Sequence, residues 1–428
     1  MSILRFSCLP LLVLLFNCGP VQAQKTEAIF VRKIDWVGKG VWLQADTHIH
    51  TGFSDGGFLL GRVVDEAVKN GCHVIGITDH ADRNLSAATP QYRAAIEAAR
   101  VKHPQRIILA GLEWNVPPWG GDEHATVLVP PGRLEWQTLA AFKARFDDLK
   151  RVPHVAALAD EGLRWLAKQK NASGVAPLVL FNHPNRKRDD VLSLVKQMKW
   201  WRTISSQTIV GFSGAPGHQL SQTLGNYTKK IKLIDRWDPI AATIGGGWDK
   251  LLQQNVDVWA ARAPSDFHNF KWDYWPGQFS QTWIYARSKS ADAVFEALRA
   301  GSVFGVHGRI VDRAELSVMA RGLPRPAING ESIRVPADST IKVQIAFRIP
   351  KLDWEGKKNQ LNEIELIGIT RDGASSLIRK PVRGGETAVV VKLSVPAGGI
   401  VIRARGRRVE NGPDLLFYTN PVRIQTAK

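Results

Sequence analysis

The chain has 428 residues, and its 57 lysines and arginines outnumber its 39 aspartates and glutamates, which gives a formal net charge of +18. This charge would draw the protein to acidic surfaces or polymers and would steer anionic substrates inward. It does not indicate nucleic-acid binding, because the basic residues are spread widely and no recognised nucleic-acid motif is present.

The first 23 residues have the layout of a signal peptide. Arg5 precedes an apolar run from Leu9 to Phe16, and Val21-Gln22-Ala23 is a small-residue cleavage site. The apolar run is too short for a permanent membrane anchor. We therefore predict a periplasmic or secreted protein with no transmembrane anchor after cleavage, in which Cys72 is the remaining cysteine and no internal disulfide forms.

After an N-terminal segment at 24–39, short apolar runs alternate with helix signals over residues 40–312. The runs are typical of buried parallel strands and lie at 41–45, 74–78, 107–112, 178–181 and 258–263. Helices are predicted at 62–70, at two places within 135–170 and at 291–299, where Ser290 is the cap and Gly301 ends the helix. The stretch 211–250 is loop-like and is a candidate lid.

Nine imidazole and carboxylate side chains follow these runs or lie near them. Such groups hold divalent transition metals with an open coordination position. The active site of an alternating strand–helix barrel lies at the C-terminal ends of its strands, so donors far apart in the sequence would meet there. The nine are His48, His50, Asp55, His80, Glu113, His124, His183, Asp266 and His268.

The motifs ADTHIHTGFSDG, ITDH, GLEW, FNHP and SDFH, together with His124, resemble the motif series of the PHP (polymerase and histidinol phosphatase) superfamily. Within it, EWNVPPWGGDEHA and the C-terminal half are most similar to secreted members of the CehA/McbA-like metallohydrolase group. The resemblance covers roughly residues 40 to 310. It implies a distorted seven-stranded (β/α) barrel that holds three metal ions.

The resemblance also implies a role for each of the nine side chains. One ion would lie among four of them, a second would share Glu113 with the first, and a third would lie nearby. The implied sets are His48, His50, Glu113 and Asp266 for the first ion, Glu113, His124 and His183 for the second, and Asp55, His80 and His268 for the third. Asp122 or Glu123 could take the place of His124.

The charge of such a centre points to the substrate. Three divalent ions would bring six positive charges and Asp55, Glu113 and Asp266 would return three negative ones, leaving about +3, which is costly unless anions fill the pocket. A bridging hydroxide and a phosphoryl group would supply them. We therefore predict a phosphoesterase with a small anionic substrate and a metal-bound water as nucleophile. Zinc, manganese and iron all suit these ligands.

Several neighbours of the nine residues are candidates for supporting roles. Asp46, Asp79 and Asn182 could orient imidazoles through the nitrogen that faces away from the metal, although backbone capping is an equal alternative for the two aspartates.

Arg186, His307 and Arg309 are candidate substrate contacts. Arg186 begins the basic run 186–188, which could bind phosphate or could be a solvated helix start. His307 and Arg309 end another predicted strand and would fall near the site by the barrel argument. By contrast, His73, His103, His154 and His218 are interpreted as structural or surface residues.

Beyond residue 313 the apolar pattern changes to a period of two. Apolar and polar residues alternate in runs near 341–345, 363–366, 389–395 and 401–405. Such runs predict an all-β sandwich over 313–428. This region has no ligand cluster, and it could pack beside the barrel or bind a partner or a glycan.

Three alternatives to the phosphoesterase stay open. The CehA/McbA-like resemblance allows hydrolysis of a carbamate, ester or amide. An amidohydrolase-type barrel also begins with HxH, but it commonly uses a lysine carboxylate bridge and does not need TDH and SDFH. A non-catalytic secreted protein could use its fifteen tryptophans for sugar stacking, although a complete ligand set argues against it.

Overall fold

The computed structural model of the chain describes residues 27–82, 85–117, 123–147, 155–222, 224–227 and 233–427. The predicted signal peptide at 1–23 lies outside these ranges. None of the helices described combines the length and the apolar character that a membrane span requires.

Nineteen strands occur in the described ranges, and their bounds follow in chain order. They are β1 (Ile29–Arg32), β2 (Val41–Asp46), β3 (Val74–Ile77), β4 (Ile107–Asn115), β5 (His124–Val129), β6 (Leu178–Phe181), β7 (Ile209–Phe212), β8 (Ser280–Ala286), β9 (Val303–His307), β10 (Arg313–Met319), β11 (Ala327–Ile328), β12 (Ser332–Val335), β13 (Thr340–Arg348), β14 (Glu363–Thr370), β15 (Gly373–Pro381), β16 (Ala388–Ser394), β17 (Ile400–Arg408), β18 (Leu415–Thr419) and β19 (Val422–Thr426).

The helices lie almost entirely between the strands of the first region. They are α1 (Leu60–Lys69), α2 (Pro90–Lys102), α3 (Glu135–Phe142), which continues into a π-helical turn (Lys143–Asp147), α4 (Ala156–Leu166), α5 (Val191–Ile204), α6 (Pro239–Ala242), α7 (Gly247–Gln253) and α8 (Ala291–Ala300). The capping predicted for α8 is confirmed: the Ser290 side chain accepts the Ala293 N–H, and Gly301 follows with φ 73°.

A barrel forms from β2 to β7 and one irregular segment. β2, β3 and β4 are parallel, β5 is antiparallel to both β4 and β6, and β6 is parallel to β7. The extended segment 258–268 closes the ring, because the Phe212 N–H donates to the Trp259 carbonyl and the Asp266 N–H donates to the His48 carbonyl. The predicted α/β class is confirmed, but 258–263 is not a regular strand.

The described parts of the stretch 211–250 contain more regular structure than the sequence indicates. It begins in β7, contains α6 and enters α7. The Asp238 side chain caps α6 by accepting the Ile240 N–H. A WDP triplet therefore begins a helix here, and the stretch is not the continuous loop that its glycines suggested.

The C-terminal region has the two-sheet arrangement that its alternating pattern predicts. One sheet has the order β11-β10-β13-β16, and its inward residues Val343 and Ile345 are buried. The other sheet contains β12, β17 and β19 and continues through β18, β9 and β8 into β2 of the barrel. The predicted division at residue 313 falls between β9 and β10, so hydrogen bonding crosses it.

Side-chain packing also joins the two regions. Ile367 and Tyr418 of the C-terminal strands belong to the main core of the barrel. Arg403 of β17 makes two buried hydrogen bonds of 2.7 and 3.0 Å to the Asp249 carboxylate of α7. The C-terminal region therefore supports the loops and short helices that follow β7.

Candidate metal centre

The HxH pair extends the line of β2 into the mouth of the barrel. Ile49 bridges to Phe267 in parallel fashion, and this bridge holds the segment extended, so His48 and His50 face the same side. Both imidazole rings are buried. Their Nε2 atoms lie 3.2 and 3.3 Å from Asp266 Oδ1.

Glu113 lies at the centre of the cluster. It lies inside β4 and not after it, and only 1% of it is exposed. Five imidazole nitrogens lie 3.1 to 3.4 Å from its two carboxylate oxygens, those of His48, His50, His80, His124 and His183. Burial opposes ionisation of Glu113, but the surrounding histidines, His48 first, hold its pKa well below the usual range.

His124 lies close to Glu113 because its strand runs in the opposite direction to β4. β5 is antiparallel to β4, and His124 is its first residue, paired with Asn115 at the end of β4. The amino end of β5 therefore lies at the same barrel mouth as the carboxyl ends of the parallel strands. This placement explains why His124 begins a strand and does not directly follow one. Asp122 lies outside the described residues, and Glu123 is buried with its Oε1 3.7 Å from Arg188.

Asp55, His80 and His268 form the outer part of the cluster, beside His50. Asp55 Oδ2 lies 3.5 Å from His268 Nε2 and 3.9 Å from His80 Nε2, and Asp55 Oδ1 lies 3.3 Å from His50 Nδ1. The Asp55 side chain is 53% exposed, so this part faces the opening. Despite partial burial, the hydrogen bonds to His268 and His50 lower the pKa of Asp55.

All nine side chains therefore converge, and three groups among them could each hold an ion. Their ligand atoms lie within 4.8 Å of one another in the sets His48–His50–Glu113–Asp266, His50–Asp55–His80–His268 and His80–Glu113–His124. The first set is the one implied by the family resemblance. The third set has His80 where the resemblance places His183, whose Nε2 lies 3.4 Å from Glu113 Oε1. Metal binding by these nine stays a prediction.

The donor atoms are better placed to bind a metal than to form hydrogen bonds with one another. Both Asp266 carboxylate oxygens are buried, yet neither makes a directed hydrogen bond within the part of the chain that the structure describes. Burial opposes ionisation, but the nearby imidazoles of His48 and His50 nonetheless hold the pKa of Asp266 well below its usual range. Burial lowers the pKa of His80 to about 3 and that of His183 to about 4, which keeps both imidazoles neutral, as ligands must be.

The two buried aspartates beside the cluster bind backbone groups and hydroxyls. Asp46 accepts the N–H groups of Ser265 and His48, at 3.1 and 3.4 Å, and Asp79 accepts the Thr51 N–H at 2.6 Å. Within the described ranges neither has an imidazole nitrogen as a hydrogen-bond partner. These hydrogen bonds fit the capping alternative, in which the two aspartates hold the loops that carry the candidate ligands, and an orienting role toward imidazoles stays a prediction.

Asn182 and Arg262 support Glu113 from inside the barrel. The Asn182 amide donates to Glu113 Oε1 at 2.8 Å and accepts the Ser213 hydroxyl at 2.9 Å. Arg262 is buried and donates to the hydroxyls of Thr47 and Ser213. Sequence reasoning missed Arg262, although an arginine inside a predicted buried strand is a detectable signal.

His218 is the other residue that sequence reasoning undervalued. Its ring lies 5.2 Å from that of His268, and both residues contact Asp273. Nothing in the local sequence GAPGHQL indicates this placement. The loop after β7 brings His218 to the mouth of the barrel.

Of the three predicted substrate contacts, one lies at the cluster. Arg186 lines the depression above the histidines. His307 is buried between Phe279 and Trp237, and Arg309 lines a different depression with Gln44. The structure therefore places His307 and Arg309 outside the depression that Arg186 lines, and it gives no support to their predicted contact with the substrate.

Comparison with known protein families supports the predicted resemblance for the first part of the chain. Residues 46–233 match the family model described as PHP domain. No curated protein matches significantly. Among solved structures, the chain is similar to a two-domain protein from Bacteroides vulgatus containing a predicted PHP-like metal-dependent phosphoesterase, with 14% identity, a TM-score of 0.41 and coverage of 94% of this chain and 99% of that one.

Two further solved structures are similar to about half of the chain. A putative metal-dependent phosphoesterase from Bifidobacterium adolescentis has 16% identity and a TM-score of 0.28, with 52% of this chain and 87% of that chain covered. An amidohydrolase from Chromobacterium violaceum, with bound sulfate and no metal, has 15% identity and a TM-score of 0.30, with 54% and 89% covered. These TM-scores are low, and nothing about activity follows from them. The family model identifies residues 46–233 of this chain as a PHP domain.

Proposed function

We propose that this protein is an exported, metal-dependent hydrolase that cleaves phosphate esters. The observation that carries the proposal is Glu113, a buried carboxylate with five imidazoles around it and Asp266 nearby. Such a concentration of nitrogen and carboxylate donors, at the mouth of a barrel, is the arrangement of a catalytic metal site. Export rests on the signal-peptide pattern at 1–23.

The residues that would hold ions are the nine of the cluster, and three ions fit the three overlapping groups. When bound, divalent ions supply positive charge that polarises a phosphoryl group and activates water for attack. Zinc, manganese and iron are the candidates for these histidine and carboxylate ligands.

The protein's own residues would bind and orient the substrate. Arg186 and Lys187 lie on the rim of the depression, where their positive charge favours an anionic substrate. Asp55, at the opening, would help to hold the outer ion. The Asn182 amide donates to the Glu113 carboxylate, and this hydrogen bond would keep the carboxylate in one orientation during the reaction.

The proposal is tested by elemental analysis of the purified protein and by turnover of four substrates. These are p-nitrophenyl phosphate, its diester, a p-nitrophenyl carboxyl ester and a p-nitrophenyl carbamate. We expect two to three divalent ions per chain and hydrolysis of at least one phosphate ester, lost on chelation and restored by added metal. Bound metal with turnover of the carbamate alone would replace phosphoesterase by carbamate hydrolase. Protein without metal or turnover would favour a binding role.

A further inference from the structure

The depression above the candidate metal centre is larger than a phosphate group requires. It has a volume of about 580 Å³ and is lined on one side by Asp55, His80, His124 and His268. This volume lies within the usual range for small organic ligands. The depression can therefore also receive the part of a substrate that leaves with the ester oxygen.

The opposite side of the depression comes from the loops that follow β6, β7 and the segment 258–268. From the loop after β6 come Arg186 and Lys187, whose positive charge favours the phosphate. We call the rest of this side the outer wall, and we define it by His218, Gln222, Asn226 and Trp272. The outer wall offers hydrogen-bonding side chains and one aromatic ring to the part of a substrate that lies beyond the phosphate.

Close backbone packing fixes the outer wall against the cluster. A Cβ atom at Gly217 would lie 2.6 Å from Asp266 Oδ2, so the chain at this point touches a candidate ligand. His218 follows with φ 61°, a left-handed conformation that is uncommon for residues other than glycine. Such strain is retained where the surrounding structure requires one side-chain position.

Asp273 ties the outer wall to the candidate ligands. Its buried carboxylate accepts the backbone N–H of His218 at 2.6 Å and the backbone N–H of His268 at 2.9 Å. The His218 ring nitrogen Nδ1 lies 3.2 Å from the same carboxylate. His218 therefore has a fixed position relative to the cluster before any substrate arrives.

Trp272 gives the outer wall a flat apolar face. Its side chain belongs to a residue that is 49% exposed, and its ring stands nearly perpendicular to that of His218, with centroids 6.1 Å apart. The two loops are joined, because the Trp272 carbonyl accepts the N–H groups of Leu220 and Ser221. These hydrogen bonds fix the backbone that carries the exposed ring.

These features point to a hydroxyl-rich leaving group. The amides of Gln222 and Asn226 both donate and accept hydrogen bonds, as do hydroxyl groups, and an aromatic face covers the C–H face of a sugar ring. Resting on the proposed function, we propose that the outer wall binds the alcohol part of the substrate and that the substrate is a sugar or polyol phosphate.

The first test compares leaving groups on the metal-loaded full-length protein. The panel is glucose 6-phosphate, ribose 5-phosphate, AMP and n-hexyl phosphate. We expect kcat/KM for at least one sugar phosphate to exceed that for hexyl phosphate by about tenfold or more, the scale of one well-placed contact. A preference for AMP over ribose 5-phosphate would place a base on the wall and overturn the inference.

The second test uses Trp272→Leu, with Trp200→Leu as the matched control. Trp200 is 48% exposed on α5 and does not line the depression. We expect W272L to raise KM for the preferred sugar phosphate by about tenfold. Inhibition by inorganic phosphate should stay unchanged in W272L, because phosphate alone would occupy the metal side. W200L should behave as the wild type.

A third variant, His218→Asn, separates substrate binding from support of the cluster. Asparagine tolerates the left-handed backbone, so the fold should persist. We expect a higher KM for the sugar phosphate with unchanged metal content. Loss of metal, or an equal loss with hexyl phosphate, would overturn the inference. Hydrolysis with no leaving-group preference would overturn the outer wall alone, whereas inactivity toward every phosphate ester would overturn the proposed function as well.

Discussion

The barrel region and the C-terminal β region share one hydrogen-bonded sheet, but they bury different groups. The mouth of the barrel buries Glu113 and Asp266 among imidazoles. The C-terminal region buries aliphatic residues such as Ile345, and its buried carboxylate Glu365 makes hydrogen bonds to arginines at 2.6 and 3.0 Å. In the C-terminal region a buried carboxylate is therefore paired with arginines. At the mouth of the barrel, by contrast, several imidazoles surround the same two carboxylates.

The backbone of the two regions differs in the same way. At the candidate metal centre, His183, His218 and Asp266 have φ values of 26°, 61° and 51°. The long strand β13 follows the regular alternation that apolar burial favours. The core around β13 is built on a regular strand, whereas the donors of the cluster come both from regular strands, as Glu113 does, and from strained backbone, as Asp266 does.

The largest effect should come from Glu113→Gln, with Glu365→Gln as the matched control in the C-terminal region. We expect E113Q to lower turnover of the best phosphate ester by about a thousandfold, equivalent to several kcal/mol of transition-state stabilisation, and to lose at least one ion per chain. Elemental analysis and steady-state kinetics measure both. E365Q should keep its metal, and equal metal loss in the two variants would remove the distinction between the regions.

The next effect concerns pH. Burial raises the pKa of Asp238 to about 7, whereas an unfolded aspartate ionises near pH 3.9. Between these values the unfolded chain has lost a proton that the folded protein keeps, so stability falls as pH rises from 4 to 7. Relative to Asp238→Asn, the wild type should lose up to about 4 kcal/mol by pH 8.

Urea unfolding of the metal-free wild type and D238N at pH 4.5, 6 and 8 measures this difference. Parallel pH curves for the two proteins would contradict it. Glu365 serves as the comparison, because hydrogen bonds and Arg405 lower its pKa although burial opposes ionisation. The E365Q variant should therefore show no similar divergence between pH 5 and 8.

A smaller and purely structural effect is expected for Ile345→Ala. Ile345 is fully buried in β13, so its truncation leaves a cavity that costs about 2–4 kcal/mol. Thermal or urea unfolding measures the loss. Metal content and KM should stay at wild-type values, and a parallel loss of metal would show that the two regions are not separable.

The smallest effect is expected for Gly217→Ala, with Gly412→Ala as the control. The new methyl group would press on the Asp266 carboxylate, whereas nothing lies within 4 Å of a Cβ at Gly412. Displacing a candidate ligand by a fraction of an ångström should lower turnover by about tenfold. Wild-type kinetics in G217A would mean that Asp266 can shift without consequence.

The sequence predicts many of the regular elements. Helix α8 could be predicted because Ser290 and Gly301 mark its ends, and β13 because its residues alternate with period two. The segment 258–263 was predicted as a strand from its apolar composition, but it must bend to present Asp266. Composition does not encode such a bend.

The candidate site could be predicted residue by residue, but its organisation could not. The family resemblance implies that His80 belongs to one ion, yet His80 also lies 3.3 Å from Glu113. From the sequence, His218 is interpreted as a structural or surface residue. Its partner Asp273 comes from a different loop, and only the fold brings the two loops together.

By itself the sequence determined the donors, because ligand chemistry depends on residue type and the nine side chains recur beside apolar runs. It also determined the β character of the C-terminal region, because a two-residue period is local. Tertiary structure alone decided which donors share Glu113, that His124 arrives on a reversed strand, and that Arg309 points elsewhere. Those outcomes depend on strand direction and on contacts between distant segments, which no short stretch of chain specifies.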